Sequence, residues 1–133
     1  MSGVVYVSRE VADKFVEALR RPEEDRDVKA LVEIHTEDCD VGNVAVPRTF
    51  SGYDGLREFW KGYRDTFGEM KSEFRNVFAG EAGHAVLECN TSGIANGKDV
   101  SYDGVSILEI EDGKVRRFMA YFDTCRLTNQ VVD

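Results

Sequence analysis

Residues 96–123, NGKDVSYDGVSILEIEDGKVRRFMAYFD, decide the fold. Asn96-Gly97 and Asp112-Gly113 supply the positive φ angles that two-residue hairpin turns require, and each separates runs rich in β-branched and aromatic residues. Ser92-Gly93-Ile94-Ala95 precedes the first turn. Val100, Tyr102, Val105, Ile107 and Leu108 lie between the turns, and Val115, Phe118, Met119, Ala120, Tyr121 and Phe122 follow the second. Two successive hairpins make an antiparallel meander. The alternation of apolar and polar residues extends upstream to about Met70, which predicts four long strands, with Gly80-Glu81-Ala82-Gly83 as a further turn.

The N-terminal half has the helical period instead. Val11, Phe15 and Leu19 recur every four residues, which predicts a first helix capped by Ser8 and ended by Pro22. Asp27 is the expected cap of a shorter second helix with Val28, Leu31 and Val32 on one side, running to His35 and an acidic turn, Glu37-Asp38-Cys39-Asp40. A third helix follows Gly52, with Leu56, Phe59, Trp60, Tyr63 and Phe67 at helical spacing up to Gly68. Three amphipathic helices followed by a meander predict an α+β fold: a cone-shaped barrel in which the helices pack on one face of a strongly curved antiparallel sheet and enclose a cavity.

Composition sets the outer limits. A chain of 133 residues that is 42% hydrophobic suits a single domain over residues 1–133. A net charge of -8 spread through both halves opposes binding to nucleic acid or anionic membranes. Cys39, Cys89 and Cys125 are odd in number and far apart, which speaks against a disulfide framework or a zinc site and for a reducing compartment. The start, MSGVVYVSRE, lacks a basic segment leading into an apolar run, and no stretch is long and apolar enough to span a bilayer, so a cytoplasmic location is expected.

With these elements in place the chain resembles the nuclear transport factor 2-like superfamily, and within it the SnoaL-like group of polyketide cyclases, ketosteroid isomerases and limonene epoxide hydrolases. The resemblance runs from about Val11 to Leu127. Thr36-Glu37-Asp38 at the expected end of helix two carries it, with the interval from Asp38 to Gly52 and the closing segment Ile110 to Asp123. The scaffold hosts enzymes and binding modules alike, so the resemblance implies a pocket and leaves its use open.

Carried over residue by residue, the resemblance places the isomerases' enolate-stabilising tyrosine on Phe15, their proton-shuttling aspartate on Asn43 and their oxyanion-hole acid near Val105 or Ser106. The last-strand acid of cyclases and epoxide hydrolases falls on Ala120. The hydrolases' water-positioning tyrosine falls on Val41, and their arginine–aspartate pair falls within Leu87 to Thr91, which holds neither residue. A phenyl ring, a carboxamide and a methyl group cannot exchange protons at neutral pH. Asn43 is retained as a hydrogen-bonder to water or ligand.

Strand alternation sends Phe118, Ala120 and Phe122 to one face and Arg117, Met119 and Tyr121 to the other, with Asp123 opposite Ala120. The expected pocket wall is therefore Phe15, Asn43, Trp60, Tyr63, Phe118, Ala120 and Phe122, although aromatic residues at such spacing more often serve only as core. Weak catalytic candidates are Asp40, Glu88 and His84; His84, Glu88 and Asn90 share one strand face, which a solvated sheet edge or a dimer contact explains better. His35 with Asp38 and Asp40 matches no established metal spacing, and Arg116, Arg117 and Arg126 suit surface pairing. Neither a metal nor a cofactor is expected. The sequence predicts binding of a small lipophilic molecule, with two alternatives: a cofactor-free lyase, isomerase or hydrolase using a nonstandard Asp or Glu base, and a module that homodimerises through the outer sheet face.

Overall fold

In the computed structural model, residues 3–24, 28–125 and 127 are described. Helix α1 spans Gly3–Glu24, and its buried face carries Val11, Ala12, Phe15, Ala18 and Leu19. Its opposite face is charged and joined by the exposed pairs Arg9–Asp13 at 3.3 Å and Lys14–Glu10 at 3.2 Å, which contribute little stability. Ser8 is not a cap. The helix begins five residues before it, so Ser8 lies inside α1 on the buried face, and its Oγ has no hydrogen-bond partner among the described residues. Nor does Pro22 end the helix, which continues to Glu24.

Helix α2 is short, Lys29–Ile34, with Val28 at its N-cap and no side-chain cap. The expected cap Asp27 lies outside the described residues. The acidic segment beyond α2 is a strand and not a turn: β1 spans His35–Asn43, burying His35, Cys39 and Val41 while Glu37 and Asp38 stay exposed. Strand β2 is only Phe50–Ser51, and α3 follows as Gly52–Thr66, turning Leu56, Phe59 and Trp60 inward. The long strands are β3 (Phe67–Ala79), β4 (His84–Ala95), β5 (Lys98–Glu111) and β6 (Lys114–Phe122). Phe67 therefore opens β3 and does not close α3.

These six strands form one curved sheet in the order β2-β1-β6-β5-β4-β3, open at both ends. The meander β3 to β6 is antiparallel, with positive φ at Asn96, Gly97, Asp112 and Gly113, as tight hairpins demand. Strand β1, which the sequence did not announce, joins β6 in parallel and sets Val41 beside Phe118 and Asn43 beside Ala120. At Gly93 any Cβ would collide with the Glu69 carbonyl and the Met70 sulfur, so only glycine permits β3 and β4 to approach at this irregular point of their register. Helices α1 and α3 cover the concave face. Phe15, Leu31, Leu56, Leu87, Leu108, Val41 and Val115 lie wholly buried between helices and sheet, each contributing roughly 1.5–3 kcal/mol relative to exposure.

Candidate functional site

The inner face of the meander is lined by every second residue: Leu87, Cys89 and Thr91 on β4; Tyr102, Gly104, Ser106 and Leu108 on β5; Phe118, Ala120 and Phe122 on β6. Leu87, Leu108 and Phe118 fill the space beneath the helices. Gly104, Ser106 and Ala120 do not, and their register puts Ser106 opposite Ala120 and Gly104 opposite Phe122. A cavity of about 70 Å³ results, roofed by Phe59, Trp60 and Tyr63 of α3 and closed at the sides by Leu19, Ser72 and Phe74. Phe118 is its aromatic hub, with ring centroids 5.2 Å from Phe15, 5.8 Å from Trp60 and 6.1 Å from Phe59.

Of the expected wall, Asn43, Trp60, Tyr63, Phe118, Ala120 and Phe122 border this cavity. Phe15 does not. It is fully buried and stacks on the far side of Phe118, so it supports the floor without lining it. Asn43 ends β1, and its Oδ1 accepts the backbone N–H groups of Ala45 at 2.9 Å and Val46 at 3.0 Å. That turn occupies the carbonyl end of the carboxamide, so the Nδ2 hydrogens are what the residue can offer a ligand.

Four of these residues, Asn43, Phe59, Tyr63 and Phe122, also border an outer vestibule of about 320 Å³, completed by Ala45, Val46, Phe50, Glu58, Gly62 and Leu127. They form the neck between the two spaces. Glu58 is the vestibule's one charged residue among those described, and it is paired to Arg48 at 2.7 Å. The described residues around the inner cavity include no carboxylate, imidazole, ammonium or guanidinium group. The polar residues among them are Asn43, Trp60, Tyr63, Ser72, Cys89, Thr91, Tyr102, Ser106 and Tyr121. Ser72 and Thr91 hydrogen-bond each other at 3.0 Å.

The weak catalytic candidates all lie elsewhere. His84 and Glu88 share a face as expected, but it is the convex face: His84 is exposed with Nε2 3.7 Å from Glu109, and Glu88 accepts a 2.6 Å hydrogen bond from Asn76. Asp40 accepts a 2.7 Å bond from Ser51 Oγ and a 3.1 Å bond from Arg116. The Ser51 bond, reinforced by Arg116, holds its carboxyl below the usual range, which weakens it as a base. His35 is wholly buried and donates from Nδ1 to the Leu31 carbonyl at 2.6 Å; burial pushes its pKa down to about 4. Arg116 also reaches Asp38 at 3.5 Å, and Arg117 lies 3.8 Å from Glu109, while Arg126 lies outside the described residues. Asp123 falls just beyond β6 and is exposed. Among the described residues no group of three or more His, Cys, Asp or Glu side chains is placed to hold a metal, and the three cysteines are free thiols.

Sequence reasoning missed Ser72, Cys89 and Thr91 as cavity residues. A period of two did assign faces within each strand, but which residue of β5 stands opposite Ala120 depends on the register of the hairpin.

Helices closed over the concave face of an open, curved sheet, with a neutral apolar cavity between them, define the pocketed α+β class to which cyclase-like and isomerase-like proteins belong. Residues 12–118 match the SnoaL-like domain, and the chain belongs to that family. A search of curated protein sequences finds no match. Among solved structures, a protein assigned as a SnoaL-like polyketide cyclase from Jannaschia sp. CCS1 superposes with a TM-score of 0.85 at 14% identity, over 98% of this chain and 95% of that one. An LEH-like epoxide hydrolase of M. tuberculosis gives 0.74 at 16% identity, over 96% and 90%. TerC, co-crystallised with polyporic acid, gives 0.80 at 19% identity, over 94% and 98%. At these identities the likeness is one of fold.

Proposed function

We propose that this protein, as a single domain over residues 1–133, binds a small, uncharged lipophilic molecule across the neck formed by Asn43, Phe59, Tyr63 and Phe122. The observation that carries the reading is the neutrality of the inner cavity: its described lining is aromatic, aliphatic and hydroxylic, with no charged group. A charged ligand would lose its hydration there with nothing to replace it. Size supports a two-part fit. The inner cavity of about 70 Å³ is smaller than the ~150 Å³ apolar cavity that accepts benzene, so it takes only the tip of a ligand. The vestibule of about 320 Å³ falls within the roughly 300–1,000 Å³ typical of ligand sites and takes the body. TerC, crystallised with polyporic acid, is a precedent for a small molecule on this fold.

The enzymatic alternative has less support. A general base must come within hydrogen-bond reach of its proton, and Asp40, Glu88 and His84 are all committed to partners away from the cavity. A homodimer through the outer sheet face, where Met119 and Tyr121 lie, and a location in a reducing cytoplasm complete the proposal; light scattering at micromolar concentration tests the dimer, and a monomer there removes it. Among the described residues no helix is long and apolar enough to cross a membrane.

A thermal-shift screen against neutral steroids, aromatic ketones, terpene epoxides and fatty acids tests the binding reading. A ligand at about 100 times its dissociation constant adds roughly 2.7 kcal/mol of stability. The expected result is a saturable shift from neutral members, with fatty acids inert. A response confined to the acids contradicts the neutral-pocket account.

A further inference from the structure

The helical roof of the inner cavity holds a buried donor that the fold does not use. Trp60 projects from α3 and is only 4% exposed, yet its Nε1–H finds no acceptor among the described residues. Ser8, His35 and Thr36 also carry a buried polar atom without a partner there, but none of them borders the cavity, and Trp60 does. A buried tryptophan usually satisfies its N–H, because desolvation without a partner is unfavourable. Around the indole stand the rings of Phe59, Tyr63 and Phe118, with centroids at 5.2, 5.4 and 5.8 Å. An aromatic face is at most a weak acceptor, so these neighbours do not take the place of an oxygen.

We propose that Trp60 Nε1–H opens on the inner cavity and is a recognition donor for a neutral ether or carbonyl oxygen near the small tip of the ligand. This rests on the pocket reading above and narrows it. An indole N–H donates and never accepts, so the ligand must bring a lone pair to it. Its direction is fixed by a ring packed among Phe59, Tyr63 and Phe118, so the acceptor must stand at one place beneath α3. Among the described residues no cation borders the inner cavity to offset the lost hydration of a carboxylate, so the oxygen is uncharged. The cavity of about 70 Å³ limits the group beyond that oxygen to the size of a methyl or similar end, with the apolar body in the vestibule. Because the indole keeps its proton, the oxygen is held and not protonated: Trp60 is a specificity residue for binding and supplies no acid.

Trp60 is the chain's single tryptophan, so growth of a tryptophan auxotroph on benzothienylalanine replaces this residue alone and exchanges N–H for sulfur in a ring of nearly the same shape. Methyl 3-phenylpropyl ether and pentylbenzene are matched probes, of which only the ether carries an acceptor; an ether cannot enolise, so the comparison reads recognition apart from turnover. Calorimetry measures both affinities in both proteins. Loss of the N–H should weaken the ether about 2- to 10-fold, the scale of one neutral hydrogen bond, and leave pentylbenzene affinity unchanged, with a melting temperature of the free protein no lower than wild type. In isotope-labelled wild type the single indole N–H resonance should move downfield with the ether relative to its position with pentylbenzene, a readout that stands even if the exchanged protein does not fold. Ether affinity that survives the exchange, an equal loss for both probes, or an indole resonance at the same place with both, overturns the recognition role while the pocket stands. Failure of both probes to bind the wild type overturns that role and the pocket together.

Discussion

On β4, Leu87, Cys89 and Thr91 face the helices while His84, Glu88 and Asn90 face away; on β6, Phe118, Ala120 and Phe122 face inward while Arg117, Met119 and Tyr121 face out. The same two strands thus present a neutral wall and a charged one, separated by the alternation of the backbone. The polar groups of the convex face pair with one another: Glu88 with Asn76, His84 and Arg117 with Glu109, Asn90 with Asp103. Among the described residues no charged group borders the inner cavity, and the buried Trp60 Nε1 there has no hydrogen-bond partner. A sheet that sorts its residues in this way keeps the titratable residues that attract attention in the sequence, His84 and Glu88, on the face away from the cavity.

The comparison breaks first, if at all, on stability. Phe118→Ala removes the aromatic hub of the concave face and should destabilise the fold by about 3–5 kcal/mol, read as a lower urea midpoint at unchanged slope. Met119→Ala, its neighbour on the convex face, should cost less than about 1 kcal/mol. Equal losses would mean that the convex face is as closely packed as the concave one, for example inside a dimer.

A second, smaller effect sharpens the contrast between buried and exposed histidine. Burial lowers His35 from 6.5 to about 4, so between these values the unfolded chain binds the proton and the folded chain does not. Stability is therefore complete above about pH 6.5 and falls as the pH drops towards 4, by roughly 3 kcal/mol over that window. His35→Asn, which retains a donor for the Leu31 carbonyl, should flatten that slope, whereas His84→Asn should leave it intact. Melting temperatures from pH 7 to 4.5 in all three proteins decide the point.

The smallest effect concerns the rejected base. Glu88→Gln should shift stability by no more than about 0.5 kcal/mol and leave ligand affinity as in the wild type. Loss of binding in this variant would place recognition on the convex face.

Much of this was legible from residue types alone. Asn96-Gly97 and Asp112-Gly113 marked the hairpins because few dipeptides tolerate their backbone angles, and the period of α1 and α3 named Phe15, Phe59 and Trp60 as inward. Local rules failed where distant pairing decides. Residues Thr36 to Asp40 have the acidic composition of a turn, yet parallel pairing with β6 makes them a strand. Ser8 has the chemistry of a cap but lies on the buried stripe of α1. The resemblance put Ser106 near a site position, but that it stands opposite Ala120 is a matter of register that no single segment encodes.

The most direct test of the account fills the cavity. Ala120→Leu projects an isobutyl group into the 70 Å³ space beneath Trp60, at an overpacking cost of about 1–3 kcal/mol that a folded domain can tolerate. Titrating wild type and variant with the strongest neutral ligand from the thermal screen, read by Trp60 emission and with folding checked by circular dichroism, should give saturable binding in the wild type and at least a 100-fold loss (about 2.7 kcal/mol) in the folded variant. Undiminished binding in folded Ala120→Leu would show that the ligand sits outside the inner cavity and would contradict the central claim.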